Sequence, residues 1–371
     1  MMNKFNKAYK FRLYPNNKQE ELIQKTFGCA RFVYNMMLAD KIEYYKEHKK
    51  KLNNTPAQYK KQYEWLKEVD SLALANVQLN LQTAYNNFFR DKKVGFPKFK
   101  SKKRNKFSYM TNNQGGNIRF SESYKSLKLP KLGFVKVKAH RKLKDNELIK
   151  SCTISKTPSG KYFVSILVEY KKEVEQKQVN NESQVVGLDF SMKDLYYSSE
   201  DKKANYPRYY RNSLKELAKE QRKLSRKKIG SNNRNKQRIK VAKLQEHIAN
   251  QRKDFLHKES RKLVNNFDAI IIEDLNMKDM SRCLNFGKSV HDNGWGIFTV
   301  FLKYKCELEG KQLIKIDKWY PSSKTCSNCG NVKSDLKLSD RVYTCDCGLE
   351  IDRDYNASLN IKRVGMTQLA W

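Results

Sequence analysis

The stretch Val185-Val186-Gly187-Leu188-Asp189-Phe190 begins with a short apolar run that is followed by an acid, Asp189. A run of this length, rich in β-branched residues, predicts a strand that is buried on both faces. Leu195-Tyr196-Tyr197 follows after a short polar gap and predicts the hairpin partner of that strand. We therefore expect Asp189 to close the first core strand of a domain.

A second apolar run, Ala269-Ile270-Ile271-Ile272, also ends in an acid, Glu273, and Gln312–Ile316 predicts a third strand. Residues 211–264 separate the first two runs and predict two basic helices around a break at Gly230-Ser231-Asn232-Asn233. An alternation of strands and helices like this one predicts an α/β domain.

Asp189 and Glu273 are expected at one edge of the predicted sheet, because ligands of α/β sheets gather beyond the strand ends. Two carboxylates at close range raise each other's pKa unless a cation holds them together. Mg²⁺ suits such a site, since it takes oxygen ligands from carboxylates, phosphate and water. For either acid taken alone, a solvated carboxylate at a strand end is the simpler interpretation.

A third candidate acid lies in residues 352–361 near the C-terminus. Ala357 and Ile361 recur at helical spacing, which puts Asp354 at the start of a helix. An N-cap is the ordinary role of an acid at that position, and the spacing alone favours it. Asp352 is the alternative acid.

Four of the eight cysteines crowd into two pairs, Cys326-Ser327-Asn328-Cys329-Gly330 and Cys345-Asp346-Cys347-Gly348. Two pairs at this separation predict one tetrahedral Zn²⁺ ion, although the second pair is C-x-C and not C-x₂-C. Four thiolates leave no open position on the metal, so the site is expected to be structural. The glycine after each pair lets the backbone turn and point N–H groups at sulfur. The remaining cysteines are isolated: Cys29, Cys152, Cys283 and Cys306.

The first half of the chain predicts a helical module set between β segments. Lys7–Pro15 alternates like a short strand, and Asn17 precedes Glu20 in capping-box spacing at the start of a long helical pattern. Ser126–Lys138 and Cys152–Tyr170 alternate apolar with polar residues and predict antiparallel strands. A barrel completed by the N-terminal strand would accommodate them.

Basic residues dominate positions 91–150, most densely in residues 95–104, and aromatic residues are interleaved with them. Lysines can neutralise phosphates, and aromatic rings can stack on unpaired bases. For each ring, a place in the protein core is an equally good interpretation. The interleaved aromatic residues are Phe96, Phe99, Phe107 and Tyr109.

The chain carries 76 Lys and Arg residues against 39 Asp and Glu residues, a formal net charge of +37. Such a charge attracts polyanions over a long range. No apolar run is long enough to span a bilayer, and the N-terminal residues lack the apolar segment of a secretory signal. We therefore expect a nucleic-acid partner, no membrane, and a reducing cytoplasmic location, where clustered thiols indicate metal and not disulfides.

Taken together, these residues resemble the TnpB family, nucleases encoded by bacterial insertion sequences and related to the type V CRISPR effectors. The resemblance runs in order along nearly the whole chain and includes the cysteine pairs. The other matching stretches are Lys7–Pro15, Phe27–Asn35, Gly95–Lys100, Val186–Asp189, Asn250–Phe255, Ile272–Leu275 and Asp352–Ile361.

The resemblance implies a multidomain α+β fold. A β-barrel wedge domain, residues 1–15 and 91–180, would be interrupted by a helical recognition domain, residues 16–90. An RNase H-like (RuvC) α/β nuclease domain, residues 181–321 and 351–371, would contain a zinc-ribbon insertion at residues 322–350.

The resemblance also implies an RNA-guided DNA endonuclease with a three-carboxylate site at Asp189, Glu273 and Asp354. It selects Asp354 over Asp352, because the family's acid is the one in the D-x-N-A pattern. The three acids would hold two Mg²⁺ ions, and their presence sets the chain apart from the family's regulators that lack the triad. A guide RNA from the element's own end would pair with target DNA, while protein reads a short adjacent motif.

The implied setting is the bacterial cytoplasm, associated with the nucleoid. The alternatives are a transposase that joins DNA strands, a regulatory DNA-binding protein that does not cut, and a zinc-containing RNA-binding protein. Tyr34 and Asn35 could face nucleic acid, although a place in the helical core suits Tyr34 equally well. The expected nucleic-acid contacts are Arg31, Lys98, Lys100, Lys102, Lys103, Arg104 and Arg252.

Overall fold

A computed structural model describes residues 2–103, 106–277, 279–280, 292–337 and 339–369, apart from the side chains of residues 2 and 92. The expected contact Arg104 and the isolated Cys283 lie outside the described residues. The chain divides into two units, Met2–Lys172 and Glu173–Trp371. Within the described residues, no helix has both the length and the apolar character that crossing a lipid bilayer requires.

The first unit is built on a seven-stranded sheet, which confirms the antiparallel strands predicted from alternation. The N-terminal strand β1 lies inside this sheet, since the strand order is β2-β6-β7-β1-β5-β4-β3. The strands are β1 (Met2–Tyr14), β2 (Phe107–Asn112), β3 (Arg119–Phe120), β4 (Ser126–Leu129), β5 (Gly133–Lys138), β6 (Leu148–Lys156) and β7 (Tyr162–Glu173).

One face of this sheet forms a core. Tyr9, Phe11 and Leu13 alternate along β1 and are buried, as strand geometry requires of residues on one face. The Phe11 ring packs edge-on against Phe120, with centroids 5.8 Å apart. The Tyr9 hydroxyl donates to the buried Glu147 carboxylate at 2.8 Å.

Three helices lie between β1 and β2, as the helical pattern predicted. Buried residues of all three, together with Leu66 between the second and the third, form a core separate from that of the sheet. The helices are α1 (Asn17–His48), α2 (Pro56–Gln62) and α3 (Ser71–Arg90), with 3₁₀ turns at Glu64–Lys67 and Lys92–Val94.

The capping box of α1 lies one residue earlier than the predicted Asn17–Glu20 pair. The Asn16 side chain accepts from the backbone N–H of Gln19 at 2.9 Å, and the Gln19 side chain accepts from the Asn16 N–H at 3.1 Å. Glu20 instead accepts a hydrogen bond from the Tyr162 hydroxyl at 2.6 Å. The predicted cap is therefore wrong by one residue, and Glu20 serves a contact with a distant strand instead.

The second unit contains a mixed five-stranded sheet, with the order β10-β9-β8-β11-β12. The predicted hairpin partner β9 runs antiparallel to β8, whereas β11 runs parallel to both β8 and β12. The strands are β8 (Val185–Ser191), β9 (Leu195–Ser198), β10 (Lys202–Lys203), β11 (Ala269–Glu273) and β12 (Gln312–Ile316).

Among the described residues, helices α4–α8 and a hairpin accompany this sheet. The two predicted basic helices, α5 and α6, are confirmed, and residues 226–231 separate them. The elements are α4 (Tyr209–Asn212), α5 (Leu214–Ser225), α6 (Asn232–Asn266), α7 (Trp295–Glu309), α8 (Arg353–Met366), the strands β13 (Val342–Thr344) and β14 (Glu350–Asp352), and a 3₁₀ turn at Glu182–Gln184.

Both faces of β8 and β11 are buried, which explains their continuous apolar sequences. On one face, Val186 and Leu188 share a core with residues of α6 and α7 such as Leu256 and Phe298. On the other face, Val185 and Ile271 pack with Ile361 of α8 and its neighbours.

Helix α8 lies against the sheet at backbone contact distance because glycines occupy the contact points. A Cβ atom at Gly187 would lie 2.3 Å from the Ser358 carbonyl oxygen and 2.6 Å from the Lys362 backbone nitrogen. A Cβ atom at Gly365, on the helix itself, would lie 2.2 Å from the Ile271 side chain. Larger residues at these positions would push the helix off the sheet.

We predict that Gly187→Ala lowers the free energy of unfolding by about 1–3 kcal/mol, because the new methyl group meets backbone atoms that cannot rotate away. Thermal or denaturant unfolding of the full chain measures this change.

Gly28→Ala is the matched control. Gly28 lies inside α1, and a Cβ atom there would meet nothing within 4 Å. That substitution should raise stability by about 0.5–1 kcal/mol, since glycine is the poorer helix former. Equal stability of the Gly187→Ala variant and the wild type would refute the close approach.

Candidate functional site

Asp189 and Glu273 lie on neighbouring parallel strands at the same edge of the second sheet. Leu188 of β8 is the register partner of Ile272 of β11, so each acid is the next residue along its strand. The residues that precede them are fully buried, whereas both acids are partly exposed. The structure therefore brings the two predicted acids together. The prediction that Asp189 closes its strand is wrong, however, because β8 continues to Ser191 and Asp189 is paired with Tyr197 of β9.

Asp354 lies in the first turn of α8, the helix that packs on β8 and β11. Burial raises the pKa of Asp189 well above its usual value, and the negative charges of Glu273 and Asp354 raise it further. The positive charge of Arg353 opposes this rise. The three acids thus share one electrostatic environment, although they are distant in sequence.

The N-cap interpretation of Asp354 is wrong, because Asp352 is the N-cap of α8. The Asp352 carboxylate accepts from the backbone N–H groups of Asp354 at 2.9 Å and Tyr355 at 3.1 Å. The Asp354 side chain therefore does not cap the helix. It forms an ion pair with Arg353, in which Arg353 Nη2 lies 3.1 Å from Asp354 Oδ1. The two acids of this stretch have different structural roles.

Glu273 has a partner that the sequence analysis missed. The Ser322 hydroxyl donates to Glu273 Oε1 at 2.6 Å. Burial raises the pKa of Glu273, and this hydrogen bond opposes the rise. A serine in a loop carries no sequence pattern that could have indicated the contact.

The donor set of the acids suits a hard divalent cation. Carboxylate oxygens are the ligands that Mg²⁺ takes, and an acid whose pKa is raised by two neighbouring acids gains from a nearby positive charge. Within the described residues, the oxygen atoms of the three carboxylates do not all lie within 4.8 Å of one another.

The four clustered cysteines do form a closed group, with all four sulfur atoms within 4.8 Å of one another. Cys326 Sγ lies 3.6 Å from Cys347 Sγ, and Cys329 Sγ lies 3.6 Å from Cys345 Sγ. Zinc–sulfur bonds of about 2.3 Å in a tetrahedron put sulfur atoms about 3.8 Å apart. The cluster thus fits a zinc ion, and the shortened second pair does not prevent this geometry.

The backbone around the cysteines is arranged as the glycines suggested. Gly330 and Gly348 have φ angles of 81° and 89°, which glycine adopts without strain. The backbone N–H of Leu349 points at the Cys347 sulfur and lowers the pKa of that thiol to about 6. A thiol that ionises readily is a good zinc ligand.

Some of the expected nucleic-acid contacts are exposed to solvent, whereas others contact the rest of the protein. Lys98, Lys102 and Lys103 are exposed, and Arg31 is half-buried. Arg252 of α6 is also half-buried, and its guanidinium donates to the backbone carbonyl of Asp292. The three exposed lysines are therefore the strongest candidates for phosphate contacts.

Lys100 contacts helix α1. Its ammonium group lies 3.8 Å from the centre of the Tyr34 ring, and burial lowers its pKa. Asn35 donates to the Lys100 backbone carbonyl at 2.9 Å and accepts from its N–H at 2.8 Å. Tyr34 is buried, which confirms the core interpretation of that residue.

The interleaved aromatic residues also divide into two groups. Tyr109 is buried and Phe107 packs against the same core, whereas Phe96 and Phe99 are 44% and 57% exposed. Only Phe96 and Phe99, of these four, present rings on which a base could stack.

Family models match three parts of the chain. The model described as "Helix-turn-helix domain" matches residues 1–50, where the structure has β1 and the single long helix α1. The IS605 OrfB model, described as "Probable transposase", matches residues 165–284, and "Cas12f1-like, TNB domain" matches residues 295–361.

Two relatives align with the chain over nearly their whole length. A protein of Streptomyces pristinaespiralis named "Putative RNA-guided DNA endonuclease" is 34% identical, over 100% of this chain and 92% of its own. InsQ of Escherichia coli K12, which bears the same description, is 31% identical over 98% of this chain and 93% of its own.

The fold is similar to a Cas12f1 chain solved in a complex with guide RNA and target DNA. The TM-score is 0.62 and the sequence identity is 12%, with 97% of this chain and 99% of that chain covered. At this identity, the similarity is one of fold.

We predict that the purified protein holds about one zinc ion per chain. Cys326→Ser should lose the metal, because its buried sulfur is one of four close ligands. Elemental analysis measures the content. Cys29→Ala, which changes a buried cysteine in α1, should retain the zinc. A zinc-free wild-type protein would contradict the assignment.

Proposed function

Since the chain belongs to the OrfB/TnpB family of IS605-type elements, we propose that it is an RNA-guided DNA endonuclease. The observation that carries this proposal is the placement of Asp189 and Glu273 on adjacent parallel strands, with Asp354 in the first turn of the helix that packs on both. Acids in such a position, on a chain with a net charge of +37, suit metal-dependent chemistry on a polyanion.

The three acids would hold two Mg²⁺ ions, as the resemblance implies. Bound Mg²⁺ supplies positive charge that stabilises both the attacking and the leaving oxygen of an in-line displacement at a phosphodiester. Glu273 accepts a hydrogen bond from Ser322, and Asp354 forms an ion pair with Arg353.

The strand order of the second unit, with one antiparallel hairpin beside three parallel strands, supports an RNase H-like (RuvC) nuclease domain. The β13–β14 hairpin and the cysteines would form the zinc-ribbon insertion of that domain. We assign the sheet of the first unit to the wedge domain and α1–α3 to the recognition domain.

Guide RNA and target DNA are the proposed partners, with a short motif beside the target read by protein. Lys98, Lys102 and Lys103 would contact phosphates, and Phe96 and Phe99 would stack on unpaired bases. The bacterial cytoplasm, where the nucleoid provides the DNA, is the proposed location.

A transposase is the second candidate, favoured by the description of the family model that matches residues 165–284. The two activities leave different products. An endonuclease leaves free ends at sites that match the RNA, whereas a transposase joins strands and requires the ends of the element.

We predict that Asp354→Asn lowers the rate of DNA cleavage by about a thousandfold or more, since a lost ligand removes several kcal/mol of charge stabilisation. RNA and DNA binding should persist. Single-turnover cleavage of an RNA-matched duplex, with the RNA that co-purifies with the protein, measures the effect.

Asp352→Asn is the matched control, two residues away. Asparagine caps helices as well as aspartate does, so α8 should keep its start and the variant should cut at close to the wild-type rate. If Asp352→Asn and Asp354→Asn cut equally well, Asp354 is not part of the site. Joined products would favour the transposase.

We also predict that RNA binding weakens steeply with salt, because phosphate neutralisation releases counterions. Replacing Lys98, Lys102 and Lys103 together by alanine should reduce the slope of log affinity against log salt concentration by about three. Filter binding over a range of salt concentrations measures the slope.

A triple variant of Lys25, Lys67 and Lys258 removes the same charge as a control. Each of these lysines is paired with an acid on the surface, with Nζ–O distances of 3.0, 3.2 and 2.7 Å. Their removal should leave the slope unchanged. Equal slopes in all three proteins would exclude the exposed lysines as phosphate contacts.

A further inference from the structure

The segment Pro321–Thr325 lies between Glu273 and the cysteine cluster in both sequence and space. Ser322 in this segment is buried, and its hydroxyl donates to Glu273 Oε1 at 2.6 Å. Thr325 is followed directly by the zinc-ligand candidate Cys326. The segment thus contacts one acid of the proposed nuclease site and leads into the cysteine cluster.

Two fully buried asparagines of α8 hold this segment in place. Asn360 Nδ2 donates to the backbone carbonyls of Ser322 at 2.9 Å and Thr325 at 2.6 Å. Asn356 Nδ2 donates to the Thr325 carbonyl at 2.7 Å, and Asn356 Oδ1 accepts from the Ser327 N–H at 2.9 Å. Buried carbonyls need such partners, so the pairing fixes the path of the segment on the helix.

The segment is also closed by its own hydrogen bonds. The Pro321 carbonyl accepts from the backbone N–H groups of Lys324 and Thr325, both at 3.0 Å, and from the Thr325 hydroxyl at 2.9 Å. A turn with these bonds on one side and α8 on the other leaves its backbone little freedom. The Ser322 hydroxyl is therefore presented to Glu273 from a fixed position.

A glutamate carboxylate has several side-chain torsions and must be oriented before it can serve as a metal ligand. Groups that hydrogen-bond to metal ligands commonly fix their orientation, and their loss lowers metal affinity or activity by about 10–100-fold. The Ser322 hydroxyl takes one Glu273 oxygen and leaves the carboxylate a second oxygen for a cation.

We propose that Ser322 is a positioning residue for Glu273, and that Asn360 acts through it by fixing its backbone. The helix that contributes Asp354 then also sets the orientation of Glu273. This inference rests on the proposed nuclease function and adds a residue to which no role in that reaction has been given.

The test uses the full-length, zinc-loaded chain with its guide RNA. Ser322→Ala should slow single-turnover cleavage by about 10–100-fold. Ser322→Thr, which keeps the hydroxyl, should restore most of the rate. Ser323→Ala removes the neighbouring hydroxyl of the same segment and should cut at the wild-type rate.

A second measurement is independent of cleavage. Binding of Mn²⁺ to the full-length chain, followed by the electron paramagnetic resonance signal of the free ion, should weaken severalfold in Ser322→Ala and recover in Ser322→Thr. Zinc content, RNA binding and the thermal unfolding temperature should stay at wild-type values in all three variants, since the hydroxyl holds only the carboxylate.

The Glu273→Gln variant distinguishes failure of the proposed nuclease site from failure of the positioning role alone. Wild-type cleavage by Glu273→Gln would defeat the proposed nuclease site itself. An inactive Glu273→Gln together with a fully active Ser322→Ala would defeat the positioning role alone. Loss of zinc or of RNA binding in Ser322→Ala, in proportion to the lost cleavage, would also overturn the proposal, because it would make Ser322 a folding residue.

Discussion

Helix α8 lies with its backbone against the strands that carry Asp189 and Glu273, and this close approach governs the geometry of the proposed site. A side chain at Gly187 would meet the helix backbone at Ser358 and Lys362, and one at Gly365 would meet Ile271. Because the helix cannot slide or lift without a clash or a void, its first turn stays near the strand ends. Three acids from distant parts of the chain share one environment as a result.

The same helix organises the region between the sheet and the cysteine cluster. Asn356 and Asn360 project from it into the segment that contains Ser322 and precedes Cys326. Apolar contacts through Ile361 join the helix to the sheet on its other side. One element thus links a packed apolar layer, a buried polar network and the segment that leads into the cysteine cluster.

Much of this could be predicted from the sequence, since the responsible patterns are local. The continuous apolar runs of β8 and β11 indicated buried strands, and the acid that follows each run indicated the sheet edge at which both acids lie. The spacing of the cysteines indicated their convergence. In each case, strand or turn geometry determines the environment of a few consecutive residues, so the pattern of those residues indicates that environment.

The rest depends on contacts between residues far apart, which leave no local pattern. Ser322 reaches Glu273 across 49 positions of sequence. Lys100 covers the Tyr34 ring across the helical module, so a residue in a basic run is not a free charge. The caps of α1 and α8 were both misplaced by one or two residues, since Asn16 and not Asn17 caps α1, and Asp352 and not Asp354 caps α8.

The junction between the hairpin and α8 has an evolutionary consequence. Asp352 of β14 is paired with Val342 of β13 and is also the N-cap of α8, so no residue separates the strand from the helix. Each residue gained or lost there would turn the helix by about 100° relative to the hairpin. Descendants of this gene can therefore diverge by substitution at the junction, whereas in-frame insertions and deletions would be removed by selection.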